Sequence, residues 1–167
     1  LEFRRVLFRS RAEVEKALSA KYGSGSWVTD TPELAMVLNL DTINAKKLDR
    51  SEVERTAAET LREQPHVFRV YTRMQLLSGS TSADQIDVRV RNGFNAARSP
   101  DLIVISDPYW VAGNGGTTHG TPFTYDAHVP VIFYGSQVKA GRYNFTIAVN
   151  DIAPTLRSEE HTSELQS

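Results

Sequence analysis

The chain has 167 residues, of which 40% are hydrophobic, and a formal net charge of −1 at pH 7; these values are ordinary for a globular protein. The near-neutral charge gives no argument for nucleic acid or an anionic membrane as a partner. Because the chain contains no cysteine, a metal site within it would use histidine and carboxylate ligands rather than thiolates. No apolar run approaches the roughly 18 residues of a membrane span.

The first part of the chain, residues 11–98, is predicted to form a small α+β subdomain, because helical and strand-like apolar patterns alternate along it. In chain order the pattern predicts a helix at 11–23, short strands at 27–29 and 34–40, a helix from Ser51, a strand at 67–72, and short helices at 73–78 and 84–94. Ser51 and Glu54 form a candidate capping box. Arg69 and Arg73 are candidates to meet a phosphate but are interpreted as solvated or ion-paired, and His66 as structural.

The second part, residues 99–156, has a different character. The near-continuous apolar run at 101–106 is typical of a strand that is covered on both faces of an α/β sheet. Residues 109–111 are predicted to continue extended or to pack as an aromatic lid, ahead of a glycine-rich loop at 113–120, at the edge where α/β folds commonly place ligands. A buried strand is predicted at 129–134, and a helix is predicted to begin at Ile152.

The glycine-rich loop carries the candidate site. His119 has glycines on both sides, His128 follows nine positions later, and Asp126 precedes His128 by two. A histidine on a glycine loop just ahead of a buried strand is a common way to present a metal ligand. The residues alone leave alternatives open: His119 as a surface-loop histidine, His128 as a hydrogen-bonded structural residue, and Asp126 as either a turn cap or a carboxylate that orients a ligating imidazole.

The segment GTTHGTPFTYDAHVPVIFYG, the later KAGRY and the closing VNDIAPTL resemble the C-terminal part of the alkaline phosphatase superfamily. The resemblance is greatest to its phosphodiesterase/nucleotide pyrophosphatase-like branch, which includes phosphate-irrepressible alkaline phosphatases, and it covers roughly residues 11–156. It implies an α/β fold, in which residues 99–156 are the C-terminal part of an alkaline-phosphatase-like α/β/α sandwich and residues 11–98 are its small subdomain.

The resemblance also implies the chemistry. In that branch the histidine of the T-H-G motif, which matches His119, is the last ligand of a two-zinc site, and Asp126 and His128 would support its loop. The reaction would be hydrolysis of small phosphate esters in a periplasmic or secreted enzyme. The Thr or Ser nucleophile and the other zinc ligands would lie upstream of residue 11. Because catalytic zinc needs three protein ligands, we expect the chain by itself to be inactive.

Two other interpretations remain. The first is a superfamily relative with different chemistry, such as a sulfatase or a metal-dependent phosphomutase, which the missing nucleophile would distinguish. The second is a non-catalytic α/β interaction module in which the histidine loop is structural.

The two ends of the sequence carry an unusual relationship. One permitted back-translation of residues 1–10 is the reverse complement of one permitted for the first ten codons of residues 157–167, and the string resembles a common sequencing-library adapter. We therefore interpret 1–10 and 157–167 as adapter-derived, and 11–156 as a piece of a longer hydrolase.

Overall fold

A computed structural model describes residues 3–32, 35–110, 119–136 and 138–157, with side chains of the first helix described from Ser10 onward. The chain divides into two compact units, Leu1–Val129 and Pro130–Ser167. All of the sheet and most of the helices belong to the first unit. Of the helices in the described ranges, none has the length and apolarity needed to cross a bilayer.

The elements follow one another in mixed order. They are α1 (Phe3–Tyr22), β1 (Val28–Asp30), β2 (Ala35–Leu38), α2 (Leu40–Ala45), α3 (Arg50–Arg62), β3 (Val67–Thr72), α4 (Arg73–Ser78), α5 (Gln85–Gly93), β4 (Leu102–Ser106), α6 (Thr124–Ala127), and a 3-10 turn at Val149–Asp151. Residues 152–157 are helical, as predicted. The predictions of β3, α4, α5 and β4 are confirmed, whereas the short helices α2 and α6 were not anticipated.

The four strands form one antiparallel sheet in the order β1-β2-β4-β3. β4 is an inner strand, and Ile103 is paired with Ala35 of β2 on one side and Tyr71 of β3 on the other. The sequence-predicted boundary at 98/99 falls in the loop before β4. The assignment of 11–98 and 99–156 to parts of a hydrolase, and of the two ends to an adapter, stays a prediction.

β4 is packed on both faces, as its continuous apolar sequence predicted. Leu102 and Val104 belong to the larger core cluster, which α1 and α3 also build. Ile103 and Ile105 point to the second cluster, together with Phe123 of the segment that follows His119. Because successive side chains of a strand point to opposite faces, a strand buried on both sides has no polar alternation.

The beginning of α3 corrects one prediction. Asp49, not Ser51, is the N-cap: its Oδ1 accepts hydrogen bonds from Ser51 N at 2.7 Å and Glu52 N at 3.2 Å. The predicted capping box of Ser51 and Glu54 is therefore wrong. The helix begins at Arg50, and Glu54, its fifth residue, lies on the buried face.

Glu54 is fully buried and belongs to an ionic network. Arg50 Nε donates to Glu54 Oε1 at 3.0 Å, and Arg50 Nη2 forms a short ion pair with buried Asp101. The second oxygen of each carboxylate is also used: Met74 N donates to Glu54 at 3.1 Å, and Leu38 N donates to Asp101 at 2.7 Å. One arginine thus joins α3, α4, the end of β2 and the residue before β4.

The burial of Glu54 has an electrostatic consequence. Desolvation raises the pKa of Glu54, and the neighbouring Asp101 carboxylate adds to this rise; the Met74 amide and Arg50 act in the opposite direction. A buried carboxylate needs a partner, because an unpaired charge inside a protein is strongly unfavourable.

The predicted buried strand at 129–134 is not formed. These residues have no regular structure, Ile132 is 82% exposed and Tyr134 is fully exposed. An apolar run becomes a buried strand only beside another strand that accepts its backbone hydrogen bonds. Within the described residues no strand pairs with this run. The prediction was wrong for this chain because it assumed a neighbouring strand.

Replacing Arg50 with methionine is expected to destabilise the fold by roughly 3–5 kcal/mol, because it leaves the buried carboxylates of Glu54 and Asp101 without their cation. The matched control is Arg55→Met on the same helix, since Arg55 is largely exposed and lies 3.7 Å from Glu52; its cost should stay within about 1 kcal/mol. Urea unfolding followed by circular dichroism measures both. Equal losses in the two variants would contradict the role assigned to Arg50.

Candidate functional site

His119 lies at the start of the described segment that precedes α6, and it is exposed. The next residue, Gly120, has φ +96°, a conformation that side chains rarely adopt, and a Cβ added there would meet nothing within 4 Å. Glycine is therefore needed for the backbone geometry, not for space. Residues 113–118 of the predicted glycine loop lie outside the described residues, as do residues 111 and 112 before it.

Asp126 lies on α6 and holds the loop that follows His119. Its Oδ2 accepts a hydrogen bond from Thr121 N at 2.6 Å. Hydrogen bonds from Thr121 keep the pKa of Asp126 below its ordinary value, and the nearby His119 lowers it further. The hydrogen bond from Thr121 agrees with the interpretation of Asp126 as a turn cap. Its role as a carboxylate that orients His119 stays a prediction.

His128 follows α6 immediately. Its backbone N–H donates to Thr124 O at 2.9 Å and closes the helix, and the residue is exposed. The described contacts give its imidazole no hydrogen bond, so the sequence-predicted supporting role of His128 stays a prediction.

Among the residues that the structure describes, no three His, Asp or Glu side chains lie close enough together to hold a metal ion. The described part of the loop thus offers one exposed imidazole, His119, with one carboxylate nearby. This set provides a single ligand and not a complete catalytic metal centre, for which three protein ligands are typical.

Aromatic rings flank the histidine segment, and the sequence predicted only some of them. Tyr109 stacks on Tyr125, with ring centroids 4.5 Å apart, and Tyr125 stacks on Phe123 at 5.6 Å. Phe123 is buried against Phe68 of β3 at 5.7 Å. The sequence predicted that 109–111 either continues extended or packs as an aromatic lid. It did not predict the contribution of Phe123 and Tyr125, since residues fourteen or more positions apart give no periodic signal.

His66 contacts the residues that follow β4, Asp107 and Trp110. Its ring stacks on Trp110 with a centroid distance of 3.4 Å, and its Nδ1 lies 3.3 Å from Asp107 Oδ2. Asp107 N also donates to His66 O at 3.0 Å. The interpretation of His66 as a structural residue agrees with these contacts, which fix the chain where it leaves β4.

The two arginines that were candidates for phosphate contact instead bind carboxylates and backbone carbonyls of this chain. Arg69 pairs with Asp84 at 2.6 Å and with Asp87 at 2.7 Å. Arg73 donates to the backbone carbonyls of Ser99 and Ala96. A shallow cavity of about 290 Å³ lies beside Arg69, but the adjacent Asp87 compensates the arginine charge there.

Comparison with known proteins identifies the relatives of the chain. No protein-family model matches the chain. Over 150 residues it is 30% identical to alkaline phosphatase PafA of Elizabethkingia meningoseptica, covering 89% of this chain and 27% of that protein. It is 29% identical over 130 residues to alkaline phosphatase PhoV of Synechococcus elongatus, covering 77% of this chain and 24% of that protein. A crystal structure of PafA matches with a TM-score of 0.79 and 28% identity, covering 91% of this chain and 29% of that one.

The chain is a partial homologue of the alkaline phosphatases. It spans about a quarter of the length of these relatives. A protein of Myroides odoratus named calcium-transporting ATPase is 32% identical over 149 residues, covering 87% of this chain and 27% of that protein. The fold is of the α/β class and corresponds to part of the PafA fold.

In this alkaline phosphatase homologue, Asp126→Ala is expected to loosen the segment after His119. The Thr121 amide should exchange its hydrogen about threefold to tenfold faster, because it loses a charged acceptor at an exposed site. Hydrogen–deuterium exchange measured by NMR detects this change. Asp151→Ala is a matched control, since Asp151 accepts from Ala148 N at 2.9 Å in the other unit; it should leave Thr121 exchange unchanged. Equal Thr121 exchange in wild type and Asp126→Ala would contradict the expectation.

Proposed function

We propose that this chain is part of a metal-dependent phosphoric ester hydrolase, a phosphatase or phosphodiesterase, in which His119 is one ligand of a two-zinc site. The observation that carries the proposal is the match of nine-tenths of the chain to alkaline phosphatase PafA, in sequence and in three dimensions. The exposed His119 on the left-handed turn at Gly120 supports it, because the ring is accessible to a ligand.

The residues present fit one ligand of such a site. A neutral imidazole is a common zinc ligand, and His119 is exposed rather than held within the core. Asp126 would hold the segment after His119 through its hydrogen bond from Thr121, and His128 would support the end of α6. The remaining ligands and the Thr or Ser nucleophile would come from the part of the hydrolase upstream of residue 11.

When bound, zinc would polarise a phosphoryl oxygen and lower the pKa of a coordinated water to about 7. The contribution of this chain is to present the His119 ring nitrogen at a fixed position. The left-handed turn at Gly120 and the hydrogen bond from Thr121 to Asp126 would limit the movement of the chain beside His119.

We further propose that the parent belongs to the phosphodiesterase/nucleotide pyrophosphatase-like branch, acts on small phosphate esters, and is periplasmic or secreted. Residues 99–156 would form the C-terminal part of its α/β/α sandwich, and 11–98 its small subdomain. The sulfatase or phosphomutase alternatives share this fold and differ in the upstream nucleophile.

The chain by itself is expected to be inactive and to bind zinc weakly, since one imidazole provides a third of the protein ligands that catalytic zinc requires. Isothermal titration of ZnCl₂ into the 167-residue chain, with His119→Ala as the matched variant, measures this binding. Tight one-to-one or two-to-one zinc binding that depends on His119, or phosphodiesterase turnover by the chain alone, would overturn the expectation.

A chimera tests the role of His119 in catalysis. Residues 11–156 replace the corresponding segment of PafA, and hydrolysis of 4-nitrophenyl phosphate and bis(4-nitrophenyl) phosphate is measured. In an active chimera, His119→Ala should lower kcat/KM by more than about 100-fold, since loss of a residue that merely supports a ligand already costs roughly 10–100-fold. His128→Ala should cost less than the ligand variant.

The outcomes separate the alternatives. Retention of activity by His119→Ala would remove the zinc-ligand role and favour the non-catalytic interaction module. Equal losses in His119→Ala and His128→Ala would show that the loop, not the His119 ring, is what the hydrolase needs.

A further inference from the structure

The cavity beside Arg69 is a feature that the proposed metal site does not use. Its lining comes from the end of α3, from β3 and α4, from the loop between α4 and α5, and from α5. Neither His119 nor Asp126 lines it. Its volume of about 290 Å³ is close to the lower end of the range for small-molecule sites, roughly 300–1,000 Å³. The cavity is therefore of a size that suits a small ligand.

One group of lining residues is already saturated with hydrogen bonds. Asp87 accepts from Arg69 Nη1 at 2.7 Å, from the Tyr71 hydroxyl in a short contact, and from the amide and hydroxyl of Ser82 at 2.9 and 2.5 Å. Arg69 also pairs with Asp84 at 2.6 Å. Because these charges balance one another, this group offers a ligand no unused cation.

Three other lining side chains keep hydrogen-bond donors that no described residue accepts. Arg62 uses Nη2 for the carbonyl of Val70 at 2.9 Å, and an arginine has five N–H donors. Gln75 uses its side-chain oxygen for Thr72 N at 3.0 Å, which leaves its NH₂ group available. The hydroxyl of Thr81 accepts a hydrogen bond, and its own hydrogen has no acceptor among the described residues. The cavity thus presents donors to a ligand with acceptor atoms.

The charge around the cavity is positive. Within the described residues, neither Arg62 nor Arg91 forms an ion pair with a carboxylate. Arg91 of α5 donates to a hydroxyl of the cavity lining at 3.3 Å, so its charge lies near the rim. These two cations add to Arg69, and Asp84 and Asp87 supply two negative charges. Three arginines against two aspartates leave one positive charge without a counterpart.

The lining also includes apolar surface. Phe68 is 40% exposed, and its ring lies 4.9 Å from the Arg69 guanidinium carbon. Val70 lines the same cavity. Covering such surface with the hydrocarbon part of a ligand is favourable, because it removes apolar area from water. A fitting ligand therefore combines acceptor oxygens with a small apolar group.

We propose that the cavity binds a small monocarboxylate with an apolar substituent, held by Arg62, Gln75 and Thr81. This site goes beyond the proposed hydrolase function, because it uses none of the residues assigned to the metal. A carboxylate accepts paired N–H groups from an arginine, and its single charge matches the single uncompensated cation. A phosphate dianion would instead bring a second negative charge near the Asp87 carboxylate.

NMR titration of the 167-residue chain with sodium benzoate tests the site. Benzamide is the comparison, because it has the same ring and no charge. Benzoate should shift the side-chain amide signals of Gln75 and the backbone amide signal of Thr81, with a dissociation constant on the order of millimolar. Benzamide and inorganic phosphate should bind more weakly than benzoate.

Two variants remove the interaction in different ways. Arg62→Gln deletes the charge and should weaken benzoate binding by about tenfold or more, since hydrogen bonds to charged groups are the strong ones. Gln75→Glu keeps an acceptor for the Thr72 amide, because glutamate also serves in a capping box, and it should weaken binding by about tenfold through like-charge repulsion.

Arg89→Gln is the matched control. Arg89 also donates to a backbone carbonyl, that of Pro122 at 2.7 Å, but it does not line the cavity. Its substitution should change benzoate binding by less than about twofold. Thermal unfolding checks that each variant is folded. If Arg62→Gln does not fold, Gln75→Glu still decides, because it preserves the helix cap.

Several outcomes would overturn the site. They are the absence of saturable shifts with benzoate, equal binding of benzamide, or unchanged binding by the folded variants of Arg62 and Gln75. An equal loss in Arg89→Gln would show a general charge effect in place of a site. Tighter binding of phosphate than of benzoate would overturn the assignment to a monocarboxylate. The titration involves no metal and no turnover, so its failure leaves the hydrolase proposal standing.

Discussion

The fold depends on the pairing of Arg50 with two buried carboxylates, Glu54 and Asp101. Arg50 and Glu54 lie on α3 and Asp101 lies just before β4, and the two carboxylates also accept hydrogen bonds from the backbone amides of Met74 and Leu38. Each carboxylate would be unfavourable in the core without its cation. Because the same network fixes the residue before β4, it sets where the inner strand of the sheet begins.

From that fixed beginning, β4 leads the chain to the candidate site. Its side chains pack on both faces, so its path through the fold leaves little freedom. At its far end, the Asp107–His66 contacts and the Trp110 stack hold the chain as it turns toward the histidine segment. On the other side of that segment, Phe123 returns to the second core cluster. The described residues on either side of 111–118 are thus held by packing contacts, which is how a rigid scaffold positions a functional residue.

The second unit has many exposed apolar side chains and little regular structure among its described residues. Its apolar side chains, including Ile132 and Tyr134, are largely exposed, and the described residues of 130–157 contain only a 3-10 turn and the helical residues 152–157 as regular structure. Exposed apolar surface of this extent commonly marks an interface. The chain corresponds to about a quarter of its alkaline phosphatase relatives, and the proposed hydrolase would provide the neighbouring strand that the pattern at 129–134 anticipates.

The sequence by itself determined those features that local pattern controls. Consecutive residues carry the apolar run of β4, the alternation of β3 and the helical spacing of α3. Gly120 indicates the turn beside His119, because glycine has no side chain and adopts left-handed conformations readily. Only the tertiary structure decided the rest. The cap at Asp49, the partners of Glu54, and the stacking of Tyr109 on Tyr125 depend on residues brought together from distant positions, which no local period encodes. For the same reason the run at 129–134 was misjudged: its sequence favours a strand, but a strand forms only where a neighbour accepts its backbone hydrogen bonds.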